Sequence, residues 1–554
     1  MEEIREALRA ACKKLFDTDT EPELTRPAEQ FGDFATNAAL QLGKELGKNP
    51  REIAVALAGQ MHGVEGVADV QIAGPGFINL KLTDQKLARM AAAATDLPKP
   101  LAGRQILVEF GDPNPFKEMH IGHLYSYIAG DGIASLLSTG GGDVKRLSYH
   151  GDVGLHVAKA LYGLLALEKQ EIEAERKRIE EVPKEEQQAL IGIAYAYGAK
   201  EYEEKAQAKA KIDSINEHIY KKDDPEINDL YERGFKASFD SFDRILELLN
   251  ISNDKRYLES QATPKGVETV KQNTPKVFQE SQGAVIYDGE KAGLHTRVFI
   301  TSKGLPTYEA KDLGLAELKA QDFPQAERSI IITANEQAEY FKVMLAALAQ
   351  IDPETAQKTT HLSHGFLSLT TGKMSSRTGE VYAAMALLLK VKDAVHERYP
   401  DSAVRKQMTF AAVKYALLKH RLGSDIVFDV EESISLEGNS GPYLQYAHAR
   451  ARSILAKTPF QGPSLESELQ DGERSLARKI SEYPEVIAKA SAELMPHHIC
   501  TYLYELAQAF NSFYERNRVI GDDRQQVRLG LVNAYAETLK HGLNLLNIDS
   551  PDKM

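Results

Sequence analysis

The run "ILVEF" at 106–110, followed at once by "GDPNP" and then by "HIGHLYSYIAGDGIASLL", leaves the chain few options between Gln105 and Leu137. A short apolar run without polar alternation suits a central parallel strand covered on both faces. The two prolines supply no ladder donor and bias the residues before them away from the helix, so the strand has to end there. Leu124, Ile128, Ile133, Leu136 and Leu137 then recur at helical spacing until Gly140 to Gly142 stop the helix. The pattern predicts a helix beginning near His120 or Ile121, with His120 and His123 in its first turn, at the carboxyl end of a strand. Open α/β sheets bind ligands there, and the free N–H groups of a helix start attract phosphate. Two imidazoles one turn apart can donate to such a phosphate, and Gly122 leaves room for a planar ring to approach the backbone. A bare H-x-x-H is also what a capped helix with two surface histidines looks like, so a second feature has to decide.

That feature is "TTGKMSSRTGEVY" at 370–382. A glycine-flanked loop carries Lys373 and Arg377 with hydroxyls at Ser375, Ser376 and Thr378. Cations with hydroxyl donors suit the charge that develops on a triphosphate during displacement.

At 554 residues the chain is expected to hold three or four domains. A composition of 43% hydrophobic and 27% charged residues is that of a globular protein rather than a disordered one. No apolar run reaches the length of about 18 residues that a membrane span needs. The amino-terminal "MEEIREALRAACKKLF" reads as an amphipathic helix without a signal peptide's apolar core, which predicts a cytoplasmic protein. Cys12 and Cys500 are too few for a disulfide framework or a cysteine-based zinc site. The net charge of −13 argues against indiscriminate coating of nucleic acid but leaves room for local basic surfaces.

Residues 1–98 read as an α+β module in which "VADVQIAGPGFINLKL" makes two strands about a Gly-Pro-Gly turn, and "TDLPKPLAG" as a linker. Residues 99–384 read as α/β, with a solvated, charge-dense helical insertion at about 165–240. Strand-like "GAVIYD", "RVFITS" and "RSIIITA" alternate with helical segments there, which predicts that they join one parallel sheet. Residues 385–554 read as almost wholly helical.

Other segments resemble one family. "HIGH" at 120–123 matches the first signature of the class I aminoacyl-tRNA synthetases, and "KMSSR" at 373–377 resembles their second, KMSKS. "VEFGDPNPFKEMHIGHL", "SYHGDVGLH", "TYEAKDLGLA", "GNSGPYLQYAHARARSIL" and the amino-terminal "FGDFATNAALQLGKELGKNPREIA" with "AGPGFIN" resemble an arginyl-tRNA synthetase over nearly the entire chain. The resemblance implies a Rossmann-type parallel-sheet catalytic core between an amino-terminal α+β tRNA-binding domain and a carboxyl-terminal all-α anticodon-binding domain. It implies activation of L-arginine with ATP to an arginyl adenylate, then transfer to the 3′ end of tRNA(Arg), with tRNA needed even for activation. ATP is expected as a substrate with magnesium, without zinc or an organic cofactor, in a monomer with no membrane partner.

Carried over residue by residue, His120, His123, Lys117 and Lys373 are expected to be catalytic, and Gly122, Met374, Ser375 and Ser376 to join them around ATP. Arginine is a guanidinium with donors only, so its site needs carboxylates. Asp312 and Tyr308, spaced i, i+4 on one helix face, are expected to take the guanidinium, the phenol adding a hydrogen bond. Glu109, Asn114 and Gln337 are expected beside them, with Asp152 supporting the pocket. For tRNA the expected residues are Phe77, Asn79, Tyr446, Arg450 and Arg452, with half at most of the Tyr443–Arg452 helix touching RNA.

Two positions depart from the pattern. Ser376 stands where KMSKS has its second lysine, and Lys117 is placed to substitute. Val153 stands where the family has tryptophan, a residue the chain lacks altogether. Against a cysteinyl enzyme stands the missing cysteine–histidine zinc cluster, and against a glutamyl enzyme the acidic Asp312 and Glu109. Against a tRNA-binding relative with a lapsed site stand the intact histidines and lysines.

Overall fold

The computed structural model describes residues 1–169, 178–370, 382–458 and 468–554. Among these residues no helix is long and apolar enough to cross a membrane.

The amino-terminal sheet has four antiparallel strands, in the order Leu24–Thr25, Phe34–Thr36, Phe77–Leu82, Val67–Ala73. The hairpin between the last two turns on Gly74 and Gly76, both at positive φ where a side chain would be strained. Helices Glu2–Phe16, Ala38–Leu46 and Pro50–Met61 accompany the sheet. The last of these starts where Asn49 accepts from the Arg51 N–H and Pro50 fills the first helical position.

The central sheet is parallel throughout, in the order Thr359–His364, Ala326–Ala334, Gln105–Glu109, Asp143–His150, Lys255–Leu258. Gln105–Glu109 is the middle strand, and Ile106, Leu107 and Val108 are buried, as its unbroken apolar run requires. This is the α/β core of the fold, with the α+β module before it and helices after it.

Two expectations need correction. "GAVIYD" and "RVFITS" do not join the parallel sheet. Ala284–Tyr287 and Arg297–Ile300 pair antiparallel in a separate sheet with Gln279–Ser281, Tyr287 lying opposite Arg297. Parallel neighbours need a crossover of a dozen or more residues, and the stretch 288–296 is too short to make one. The charged insertion is also more than a solvated face. Helices Leu155–Glu168, Gln187–Glu204, Ala206–Lys221 and Pro225–Leu249 enclose their own core of Val157, Leu161, Ile191, Ile212 and Leu230, which takes in Phe116 beside the histidine turn.

The carboxyl-terminal part is helical from Ala384–Arg398 to Gln525–Leu545, apart from strand Ile426–Phe428, which pairs in parallel with Leu367–Leu369. Its helix Asp471–Ser481 docks on the amino-terminal module, where Arg474 bonds Asp33, Asp84 and the Leu82 carbonyl.

Candidate active site

The strand-to-helix turn is hooked to the neighbouring strand at successive residues. Asp112 Oδ1 accepts from the Tyr149 N–H at 2.7 Å, the Pro113 carbonyl accepts from His150 Nδ1 at 2.7 Å, and Asn114 Oδ1 accepts from the Gly151 N–H at 2.9 Å. Asp112 and Phe116 take positive φ, so the turn is held in a conformation that non-glycine residues seldom adopt. The helix Ile121–Thr139 then begins with His120 as its cap.

Both signature histidines spend one ring nitrogen on this cap. His120 Nδ1 accepts from the N–H groups of Gly122 at 3.1 Å and His123 at 3.4 Å, and His123 Nδ1 accepts from the His120 N–H at 3.3 Å. A backbone N–H can only donate, so each Nδ1 carries its lone pair and each ring its proton on Nε2. The rings stack with centroids 3.6 Å apart. Burial first, then the neighbouring His364 and Lys117, push the His120 pKa down to about 4; burial and the neighbouring histidines hold His123 well below its ordinary value. At neutral pH the pair is uncharged and presents two Nε2–H donors. A Cβ at Gly122 would lie 2.9 Å from His120 Cε1, so the histidine ring itself requires that glycine.

Beside this turn a cleft of about 440 Å³ is lined by Asn114, Lys117, His156, Glu259, Tyr308 and Lys311. Lys117 Nζ lies 5.1 Å from the Tyr195 ring centroid. Glu259 and Lys311 form a buried ion pair at 2.6 Å, with burial raising the glutamate pKa against the lysine's pull. Neither residue was singled out from the sequence. Glu259 follows the parallel strand Lys255–Leu258 directly, so strand-end reasoning would have found it.

An inner cavity of about 210 Å³ holds Glu109, Asp312 and Lys319 against Leu315, Ile331 and Phe341. Lys319 Nζ donates to Glu109 Oε2 at 2.9 Å, and the Tyr340 hydroxyl donates to Asp312 Oδ2 at 2.5 Å. Burial pushes the Asp312 pKa up to about 7; the Tyr340 hydrogen bond opposes this and Glu109 adds to it. Asp112 is likewise raised, by burial and then by Glu109.

The expected arginine set is therefore divided. Asn114 and Tyr308 line the cleft, Glu109 and Asp312 the inner cavity, and the exposed Gln337, ending the turn Asn335–Gln337, lines neither. Tyr308 and Asp312 share a helix face but lie at different depths. Tyr308 is 63% exposed at the cleft, whereas Asp312 is buried one turn further and takes its phenol from Tyr340. Spacing puts two residues on one face but does not set their depth. Asp152 is buried, accepting from the Ser260 N–H at 2.8 Å and the Tyr231 hydroxyl at 3.0 Å, and Val153 packs in the insertion's core.

Lys373, Met374, Ser375, Ser376 and Arg377 lie outside the described residues. The residues that follow them do not: the Tyr382 carbonyl accepts from the Ile121 N–H at 3.0 Å, and the Ala384 N–H donates to the Met119 carbonyl at 2.8 Å. The chain thus returns from that segment directly onto the histidine turn.

Of the expected RNA contacts, Phe77 is 42% exposed and Tyr446 43% exposed. Asn79 is 8% exposed and lies in the sheet, its backbone between those of Ala35 and Gln71. Arg450 lies 4.6 Å over the Tyr514 ring, and Arg452 pairs with Glu537 and Asp552 at 3.4 and 3.3 Å. Gln445 and His448 are buried, donating to the carbonyls of Asp549 and Pro551 and so fastening the carboxyl-terminal tail.

Three family models match the chain: Arginyl tRNA synthetase N terminal domain over residues 2–82, tRNA synthetases class I (R), catalytic domain over 89–430, and DALR anticodon binding domain over 444–554. Arginine–tRNA ligase of Bdellovibrio bacteriovorus is 30% identical across 95% of this chain and 93% of its own length. That of Thermobifida fusca is 30% identical across 100% and 98%. The solved Thermus thermophilus arginyl-tRNA synthetase superposes over 100% of both chains with a TM-score of 0.84 at 26% identity. With the histidine-capped helix at the end of a central parallel strand and buried carboxylates behind it, these matches settle the family: the chain belongs to the arginyl-tRNA synthetases, class I enzymes that join arginine to its tRNA at the expense of ATP.

Proposed function

We propose that the cleft and inner cavity bind arginine while the histidine turn binds the ATP phosphates. The observation that carries this reading is the pair of Nε2–H donors fixed by the helix cap, in the same strand-to-helix turn whose Asn114 and Lys117 line the cleft. In this reading a carboxylate oxygen of arginine attacks the α-phosphorus, the bond to the α–β bridging oxygen breaks, and pyrophosphate leaves. The Nε2–H groups of His120 and His123 stabilise charge on the phosphoryl oxygens, with Gly122 under the adenine. A hydroxyl of the tRNA's terminal ribose then attacks the activated carbonyl carbon and AMP leaves. Glu109 and Asp312 receive the cationic part of arginine, with Asn114, Tyr308 and Gln337 completing its pocket. Glu259, which lines the cleft, is proposed to join this acidic set.

Lys373, Met374, Ser375 and Ser376 are proposed to close over the triphosphate. Magnesium enters on the ATP phosphates, the mode such ions favour; among the described residues no cluster of three or more His, Cys, Asp or Glu stands ready for a metal. Activation is proposed to need bound tRNA. The protein is proposed to act as a monomer, and the buried free thiols of Cys12 and Cys500 support a cytoplasmic setting. Units dividing near residues 98 and 384 fit this scheme.

The reading is tested by ATP–pyrophosphate exchange with each of the twenty amino acids, with and without an arginine tRNA transcript. Exchange with arginine alone, rising when tRNA is added, is expected. Exchange with another amino acid would remove Asp312 and Glu109 from the pocket.

Lys117→Ala is expected to slow adenylate formation by about two orders of magnitude, the scale of one lost transition-state contact. A rate close to that of the wild type would take Lys117 out of the chemistry.

Phe77 and Tyr446 are proposed to stack on single-stranded tRNA bases, with Arg450 and Arg452 near its backbone. Their exposure supports this for the two rings, and the Asn79 amide, on the same strand as Phe77, is proposed to read a base edge. Phe77→Ala is expected to raise the KM for tRNA about tenfold, the low end of a lost base stack, with kcat at saturating tRNA retained. An unchanged KM would move the contact elsewhere.

A further inference from the structure

A lysine in the pocket of a cationic substrate needs explaining. Glu109 ends the central strand and is 3% exposed, and a carboxylate so buried is strongly disfavoured without a counter-ion. Lys319, on the helix Tyr308–Asp322 and two turns beyond Asp312, reaches it with Nζ 2.9 Å from Oε2. The two side chains are 5% and 4% exposed. Lys319 is the only cation within bonding distance of Glu109 among the described residues, and Oε1 takes no hydrogen bond among them. As a staple between helix and strand the pair has no advantage, because well-packed apolar side chains hold such a junction at least as well. What an apolar pair cannot do is present a charged, oriented carboxylate oxygen.

We propose that Lys319 is a positioning residue for arginine recognition: by binding Oε2 it fixes the orientation of the Glu109 carboxylate and leaves Oε1 for the substrate's cation. This rests on the reading of Glu109 as an arginine ligand. Asp312 on the same helix and Asp112 in the turn are further acids near Glu109, with Tyr149 and Tyr257 on the strands Asp143–His150 and Lys255–Leu258 and Tyr340 on the helix Ala338–Ile351. Arg328 and Lys358 line the cavity as well, and Lys319 is the cation that bonds Glu109 among the described residues. Its ammonium is a point charge that occupies one oxygen, whereas the fork of a guanidinium would take both. The internal cation therefore does not close the site to the external one.

The test is aminoacylation of an arginine tRNA transcript, with KM for arginine and kcat measured from pH 6 to pH 9. Lys319→Met is expected to raise KM about tenfold at pH 7 with kcat at saturating arginine within about threefold of wild type. Lys319→Arg keeps the charge but its fork takes both carboxylate oxygens, so it is expected to leave KM raised as well. A role confined to stability would lower the melting temperature of Lys319→Met and leave its KM for arginine at the wild-type value, which would overturn the proposal. Should the methionine variant fail to fold, Lys319→Gln, which removes the ammonium, gives the same reading. Glu109→Gln separates the two levels. A raised KM at every pH keeps Glu109 as a ligand whatever Lys319 does, and an unchanged KM removes Glu109 itself.

Discussion

Replacing His120 and His123 together by alanine is expected to lower arginine-dependent ATP–pyrophosphate exchange by roughly 10³- to 10⁴-fold. Loss of one preorganised donor at a developing negative charge costs about 10²- to 10³-fold, and two donors acting on one phosphate do not add fully. The donors are preorganised because the backbone N–H groups of His120, Gly122 and His123 occupy both Nδ1 atoms. Only Nε2–H is left, and no imidazole has to flip or lose a proton before it can act. The low pKa of His120, about 4, keeps the pair uncharged across the neutral range. The double variant also loses the helix cap, worth about 1 kcal/mol. His120→Asn is the control, because its amide oxygen can still cap while the ring donor is gone. It is expected to melt like the wild type and to exchange about a hundredfold more slowly. Exchange by the double variant within tenfold of wild type would end the assignment of these rings to the transition state.

Asp312→Asn is expected to lower kcat/KM for arginine roughly a hundred- to a thousandfold, the scale of removing one charge from a buried, hydrogen-bonded ion pair. Asp312 is buried, and its pKa is pushed up to about 7. A bound guanidinium stabilises the ionised form, so affinity is coupled to deprotonation. In the wild type, KM for arginine is accordingly expected to rise as the pH falls from 8 through 7 to 6, and in Asp312→Asn this slope is expected to flatten. The sign for stability is opposite. A carboxyl whose folded pKa is raised adds stability that is full below its unfolded pKa and is lost as pH rises through about 7. At pH 8 the empty wild-type protein carries that cost and the asparagine variant does not, so the variant is expected to melt no lower. A wild-type KM that does not change between pH 6 and 8, or a variant KM near that of the wild type, would place the guanidinium elsewhere.

Much of the site was legible because its parts are local. The apolar run, the prolines and the helical spacing after His120 each act on neighbouring residues, and they place the two histidines at the helix cap without knowledge of the rest of the fold. Glu109 itself was reached through the resemblance carried by "VEFGDPNPFKEMHIGHL", not by this local reasoning. Local reasoning also stopped short of Glu259, whose strand Lys255–Leu258 is short and half charged and carries no apolar run to announce itself.

The errors share one cause. "GAVIYD" and "RVFITS" have the composition of strands, but which sheet a strand joins depends on the length of its connection and on partners far along the chain. Tyr308 and Asp312 share a helix face, yet their depth is set by what packs over each, and the Tyr340 hydroxyl that bonds Asp312 comes from another helix.

The sequence by itself determined the class of the fold and the place of the two histidines at a helix start, because periodicity and turn residues act over a few residues, while the arginine substrate was legible only through the resemblance of its motifs to a family. The tertiary structure alone decided which charges face one another. Lys319 meets Glu109 across 210 positions and Lys311 meets Glu259 across 52. Such pairs form only once sheet order and helix packing have brought distant segments within hydrogen-bond reach, where low polarity makes each partner's identity decisive.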